Sequence, residues 1–113
     1  EYGRLWKVVR HLQHLSGLTP DQEAALTAFR LPAAQEIIRH LSQVESATRA
    51  EIAAAIGATY PAVVTRLAEL ERQKLIVANL PPGQRNGRPV RYSVDRARLD
   101  LLLAAFGDYL RGH

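Results

Sequence analysis

Apolar residues recur along this chain at helical spacing for most of its length. Leu5, Val8, Val9, Leu12 and Leu15 stand at the i, i+3, i+4, i+7 intervals that line one helix face, which predicts an amphipathic helix over 2–16. Trp6 lies off that stripe and predicts a second buried face. Ser16-Gly17-Leu18 breaks the pattern, and Thr19-Pro20-Asp21-Gln22 restarts it. Thr19 is placed as N-cap, Pro20 at the first helical position and Gln22 at the capping-box site. This helix is expected to reach Phe29 or Arg30. Pro32 opens the next one, in which Ile37, Ile38 and Leu41 form the apolar stripe and Gln43 marks the end.

Val44 to Ala47 reads as a short connection. Thr48-Arg49-Ala50-Glu51 is a second capping box, followed by a short helix with Ile52, Ala53 and Ile56 facing inward. Gly57 ends it, because glycine adopts the left-handed conformation that a tight turn needs. Thr59 then caps a longer helix, opened by Tyr60 and Pro61, with Val63, Leu67 and Leu70 as its buried stripe. Leu75 to Ala78 has strand composition. Pro81-Pro82-Gly83 and Asn86-Gly87 are turn signals, and Val90 to Val94 alternates apolar and polar as a returning strand does. Asp95 caps a last helix whose expected stripe is Leu99, Leu102, Leu103, Phe106, Tyr109 and Leu110, with Leu101 off it.

The order is helix, short helix, glycine turn, longer helix, then a hairpin with an Arg-rich loop. This predicts a mainly α fold with a small β-hairpin: a winged helix-turn-helix with extra N- and C-terminal helices. One domain spans 1–113, divided into N-terminal helices (1–47), helix-turn-helix and wing (48–94) and C-terminal helix (95–113). In such an arrangement the short helix and turn fix the pose of the longer one, whose outer face can enter a DNA major groove about 12 Å wide.

Residues 48–94 resemble the DNA-binding core of the ArsR and MarR groups of bacterial transcriptional regulators. The stretch TRAEIAAAIGATYPAVVTRLAELERQKLIV carries the capped short helix, the Gly, a polar N-cap and then V-T-R-L, and GRPVRYSVD resembles the far strand of their wing. The resemblance implies sequence-specific binding of double-stranded DNA by a cytoplasmic homodimeric regulator, a repressor that occupies its operator. The recognition helix would be about 60–73 and the wing about 79–91. Thr59, Tyr60, Pro61, Ala62, Val64, Thr65 and Arg66 fall at the recognition-helix positions. Arg85, Asn86, Arg88 and Arg91 fall in or beside the wing, and Thr48 and Arg49 where the preceding helix can meet a phosphate. It also implies a dimer built by the terminal helices, with Leu5, Trp6, Val9, Leu12, Leu101, Phe106 and Tyr109 as candidates. Their other reading is completion of one monomer's core. The family often has Gly between the recognition helix and the first wing strand. Lys74 stands there in this chain, so either a left-handed Lys or a different turn is expected.

Charge sharpens this picture. The 113 residues carry a formal net charge of +4. Residues 1–47 hold five basic and five acidic groups, 48–98 nine and four, and 99–113 one and two, so the excess is confined to one segment. Thirteen of the fifteen cations are Arg, whose fork suits phosphates and base edges, although seventeen Ala also fit a codon bias that favours Arg. Each candidate has a plainer alternative. Tyr60 could pack over the turn, Arg66 could pair with Glu69 or Glu71, and Arg85, Arg88 and Arg91 could be a solvated loop and strand face.

The remaining chemistry narrows the function classes. With no Cys, disulfides and thiolate metal sites are excluded. His11 and His14, three apart, could share a helix face but lack further ligands, and the last helix offers Asp100 and Asp108 with no His until His113, so no metal or other cofactor is expected. No phosphate loop, nucleophile elbow or clustered acid-base set marks an enzyme, and no sensory pocket for a small molecule is evident. No apolar run approaches the ~20 residues of a membrane span, and no signal peptide is seen. The missing initiator Met reads as a trimmed chain or an excised domain. Two other readings stay open: DNA binding in plasmid or mobile-element partition or replication, and a winged-helix protein-interaction module in a larger assembly.

Overall fold

The computed structural model describes residues 17–113; the helix predicted over 2–16, with Leu5, Trp6, Val9, His11, Leu12 and His14, lies outside them. The elements are α1 (Pro20–Ala28), α2 (Pro32–Gln43), β1 (Ala47–Thr48), α3 (Arg49–Ile56), α4 (Tyr60–Arg72), β2 (Ile76–Ala78), a 3-10 turn (Pro82–Gln84), β3 (Arg91–Val94) and α5 (Arg96–Leu110). None of these helices is long and apolar enough to cross a membrane.

Local chemistry sets the boundaries. Both expected capping boxes form: Thr19 with Gln22, and Thr48 with Glu51, each side chain satisfying the other residue's backbone N–H. Thr59 accepts from the Ala62 N–H, and Asp95 from that of Arg98. Gly57 closes α3 at φ +68°, as its place in the turn requires.

The end of α4 answers the question raised by Lys74, which adopts φ +63°. The Lys74 N–H reaches the Glu71 carbonyl and the Leu75 N–H the Leu70 carbonyl, both at 3.0 Å. Those two bonds make a complete Schellman stop with Lys in the position glycine usually fills. A left-handed non-glycine residue costs roughly 1–2 kcal/mol. The buried Leu75 and Ile76 that follow hold the chain in this path.

The core sits where α2 meets α3, α4 and β3. Ile37, Leu41, Ile52, Val63, Leu67, Leu70, Leu75, Ile76, Tyr92 and Leu102 are essentially inaccessible to water. Each such side chain contributes roughly 1.5–3 kcal/mol of burial. All three residues of the stripe expected on α4 are among them.

Two readings are amended. The expected hairpin of β2 and β3 forms, and a third antiparallel strand joins it in the order β1-β3-β2. Ala47, read as the end of a connection, and Thr48, read as a helix cap, supply the third, with Ala47 opposite Tyr92 and Thr48 opposite Arg91. Two residues are too few to show a period, so pattern could not find this strand. The second concerns α5. Leu102 is buried and Leu99 and Phe106 pack against the core, but Leu103, Tyr109 and Leu110 are exposed, as is Leu101. The edge-to-face pair of Phe106 with Phe29, centroids 5.6 Å apart, marks where α1 covers the helix.

Candidate nucleic-acid interface

Burial of Val63, Leu67 and Leu70 turns the opposite side of α4 to solvent. Pro61, Thr65, Ala68 and Arg72 recur there at steps of four, three and four residues, and all are exposed. Tyr60, 51% exposed, and Ala62 flank the stripe at its N-terminal end. Thr59 is exposed as the N-cap, and Val64 is half-buried. The centre of this face is small, so a surface can approach the backbone closely. The Thr65 hydroxyl donates to the Pro61 carbonyl at 3.1 Å, which leaves its lone pairs to accept.

The wing is the chain between β2 and β3. Asn79 closes its base twice: its N–H donates to the Arg91 carbonyl (3.0 Å), and its side-chain oxygen accepts from the Arg91 N–H (2.9 Å). Beyond that base come the 3-10 turn and Gly87 at φ +68°. Asn86 and Arg88 stand exposed at this end of the loop.

The glutamates sort the cations. Between residues 48 and 94 the acidic residues are Glu51, Glu69 and Glu71, and each is paired with an Arg. Arg66 meets Glu69 at 3.2 Å, the plainer of its two readings. Arg91 donates to the Ser46 hydroxyl and carbonyl and lies 3.4 Å from Glu51. Arg85 grips Glu71 with both terminal nitrogens, at 3.2 and 2.6 Å, while its Nε donates to the Leu80 carbonyl at 2.9 Å. Of the cations in the wider basic segment, Arg96 donates to the Ser42 carbonyl, and Arg98 pairs with Asp21 and donates to the Gln73 carbonyl. Among the described residues no hydrogen bond or ion pair occupies the Arg72 or Arg88 side chain.

Arg49 links the two arms. It opens α3, its guanidinium lies 5.7 Å from the centre of the Tyr92 ring, and its Nε donates to the Tyr92 hydroxyl at 3.1 Å. Partial burial opposes its charge, but hydrogen bonding to the Tyr60 and Tyr92 hydroxyls outweighs this and holds it above the ordinary arginine range. Thr48, half-buried beside it, spends its hydroxyl on the Glu51 N–H. Bonds from the Thr48 backbone and side chain, helped by Arg91, hold the Glu51 carboxyl below the usual glutamate range.

The structure thus brings Thr59, Tyr60, Pro61, Ala62, Thr65, Asn86 and Arg88 to the surface of the helix and wing. It commits Arg66, Arg85 and Arg91 to partners within the fold. It adds Ala68 and Arg72, which the four-three-four spacing from Pro61 signals, and Tyr92, whose alternation marks it as buried but not as the seat of Arg49.

A short helix and glycine turn packed against an exposed helix, followed by a hairpin, define the winged helix-turn-helix class. Solved structures share this architecture. An ArsR family transcriptional regulator aligns with a TM-score of 0.63 at 18% identity, over 82% of this chain and 91% of its own. The AntR antimony-specific transcriptional repressor aligns at 0.57 and 17%, over 78% of this chain and 76% of its own. S. aureus MepR in its DNA complex aligns at 0.56 and 20%, over 96% and 86%. The fold is therefore the one implied by the resemblance to the ArsR and MarR groups. No family model and no curated relative matches the sequence.

Proposed function

We propose that this protein is a double-stranded DNA-binding transcriptional regulator. The observation that carries the reading is the α4 face of Pro61, Thr65, Ala68 and Arg72, small at its centre, with its carboxylate, Glu69, paired to Arg66, and set beside a wing that exposes Arg88. In this reading α4 lies in the major groove with Tyr60 and Thr65 at base edges, and Ala62 or Val64 near a thymine methyl. Arg72 and Arg88 meet phosphates, and the wing lies along the backbone or in the minor groove. The similarity to MepR, solved as a DNA complex, supports the same direction. AntR is described as a repressor, which supports repression by operator occupancy.

The regulator acts as a homodimer, so that two recognition helices fall about 34–36 Å apart, one duplex turn. Leu101, Leu103, Tyr109 and Leu110 give α5 an exposed apolar surface, next to a groove of about 340 Å³ between Phe29, Ile38, Leu99 and Phe106. Single exposed apolar residues are ordinary, but Leu103 and Leu110, seven positions apart on one side of the helix and beside this groove, favour a partner surface.

Fluorescence anisotropy against a pool of random duplexes, at low and physiological salt, with bound molecules recovered and sequenced, tests the proposal. The expected result is salt-sensitive binding that enriches an inverted repeat. Salt-sensitive binding without enrichment would favour a partition or architectural role. An absence of binding at low salt would overturn the DNA reading in favour of a protein partner.

A further inference from the structure

We infer that Arg85 is a positioning residue that braces the wing against the recognition helix, with Glu71 as its anchor. The inference deepens the DNA-binding reading and rests on it. Arg85 follows the 3-10 turn, fourteen positions along the chain from Glu71 in the last turn of α4. Its three nitrogens are all engaged, two on Glu71 and one on the Leu80 carbonyl at the start of the wing. The side chain is only 16% exposed, which distinguishes it from a cation waiting for a phosphate.

A planar fork held at three points has no rotational freedom left, so the loop from Leu80 to Arg85 is tied to the end of α4. Arg88 then rides on an ordered segment, and its backbone N–H already bonds the Arg85 carbonyl at 3.2 Å. Ordering the loop before DNA arrives removes part of the cost of ordering it on binding. The pairing also neutralises Glu71 at the joint between α4 and the wing, so no free carboxylate stands there to repel a phosphate. Arg85 therefore strengthens binding without touching a phosphate, while Arg88 supplies the contact.

The test compares R85A, E71Q and the double variant against one random duplex pool over a salt series. Amide hydrogen exchange of residues 84–88 is measured in the free proteins. Each single variant is expected to weaken binding roughly three- to tenfold, and the double variant no further, because the two residues act as one unit. The slope of log affinity against log salt stays at the wild-type value, and exchange at 84–88 quickens while that at Leu67 and Tyr92 does not. A phosphate contact at Arg85 predicts the opposite signs: R85A lowers the slope by about 0.9, and E71Q, by releasing the guanidinium, tightens binding. That outcome would overturn the brace. If the wild-type protein binds no duplex at any salt, the DNA reading fails by itself, and exchange still decides the brace. Unchanged exchange at 84–88 in both variants would then refute it.

Discussion

Helix α4 and the wing form one surface by different physics. Helix α4 is held by burial: Val63, Leu67 and Leu70 are each 1% exposed, and the outward face follows from geometry. The wing buries little before Val90 and is held by polar links, from Asn79 to Arg91 and from Arg85 to Glu71 and Leu80. Apolar burial is non-directional and strong, so α4 tolerates changes on its outer face. Polar links are directional and individually modest, so the wing should respond to single changes that leave the fold intact.

The largest expected effect is on the buried side. Leu67→Ala should lower unfolding free energy by roughly 2–5 kcal/mol, read by chemical denaturation. A loss below about 1 kcal/mol would mean that α4 is not the keystone described. In the wing, Arg88→Ala should leave stability unchanged while weakening binding to all duplexes and reducing the salt slope by about 0.9. Replacing Arg91 as well should weaken binding further but flatten the slope less than the first change did, since Arg91 already serves Ser46 and Glu51. Equal slope changes would place both on phosphates.

Thr65→Ala should alter preference among recovered sequences, with about 1–3 kcal/mol of discrimination lost at one base position. Uniform weakening would make Thr65 a backbone contact. Lys74→Gly relieves the left-handed strain and should stabilise the protein by about 1 kcal/mol or less, because glycine also gains freedom in the unfolded chain. Unaltered DNA affinity would show that the joint between helix and wing serves the fold.

The smallest effect concerns pH. The folded Glu51 carboxyl titrates below its unfolded value of about 4.3. Its contribution is thus fully present above that value and lost as pH falls through the folded one. Stability should not vary with pH on its account between 6 and 8, and Glu51→Gln should reduce the loss seen on acidification below pH 4.

Much of the fold was legible in the sequence because its signals are local. Capping boxes span four residues, Gly57 marks its own turn, and the α4 stripe repeats over two turns. Lys74 stood out only through the resemblance, since the family often has Gly at that place, and the choice between a left-handed Lys and a different turn stayed open until the structure gave φ +63°. What escaped was non-local or too short. β1 is two residues whose partner lies over forty positions away. The commitment of Arg85 depends on Glu71, and that of Arg91 on Ser46, pairings that no spacing rule connects. Residue type alone put Arg85 and Arg88 in one class, and the geometry separates them. Arg72 was visible on the outer face by spacing, and its freedom became evident only when the neighbouring glutamates proved to be occupied.

In the proposed function the α4 face and the wing meet DNA together. Titrating isotope-labelled protein with a short duplex and following backbone amide shifts tests it most directly. Saturable shifts are expected at Tyr60 to Arg72 on the outer face and at Asn86 to Arg88, diminishing as salt is raised. Shifts centred on α5, or none at low salt, would contradict it.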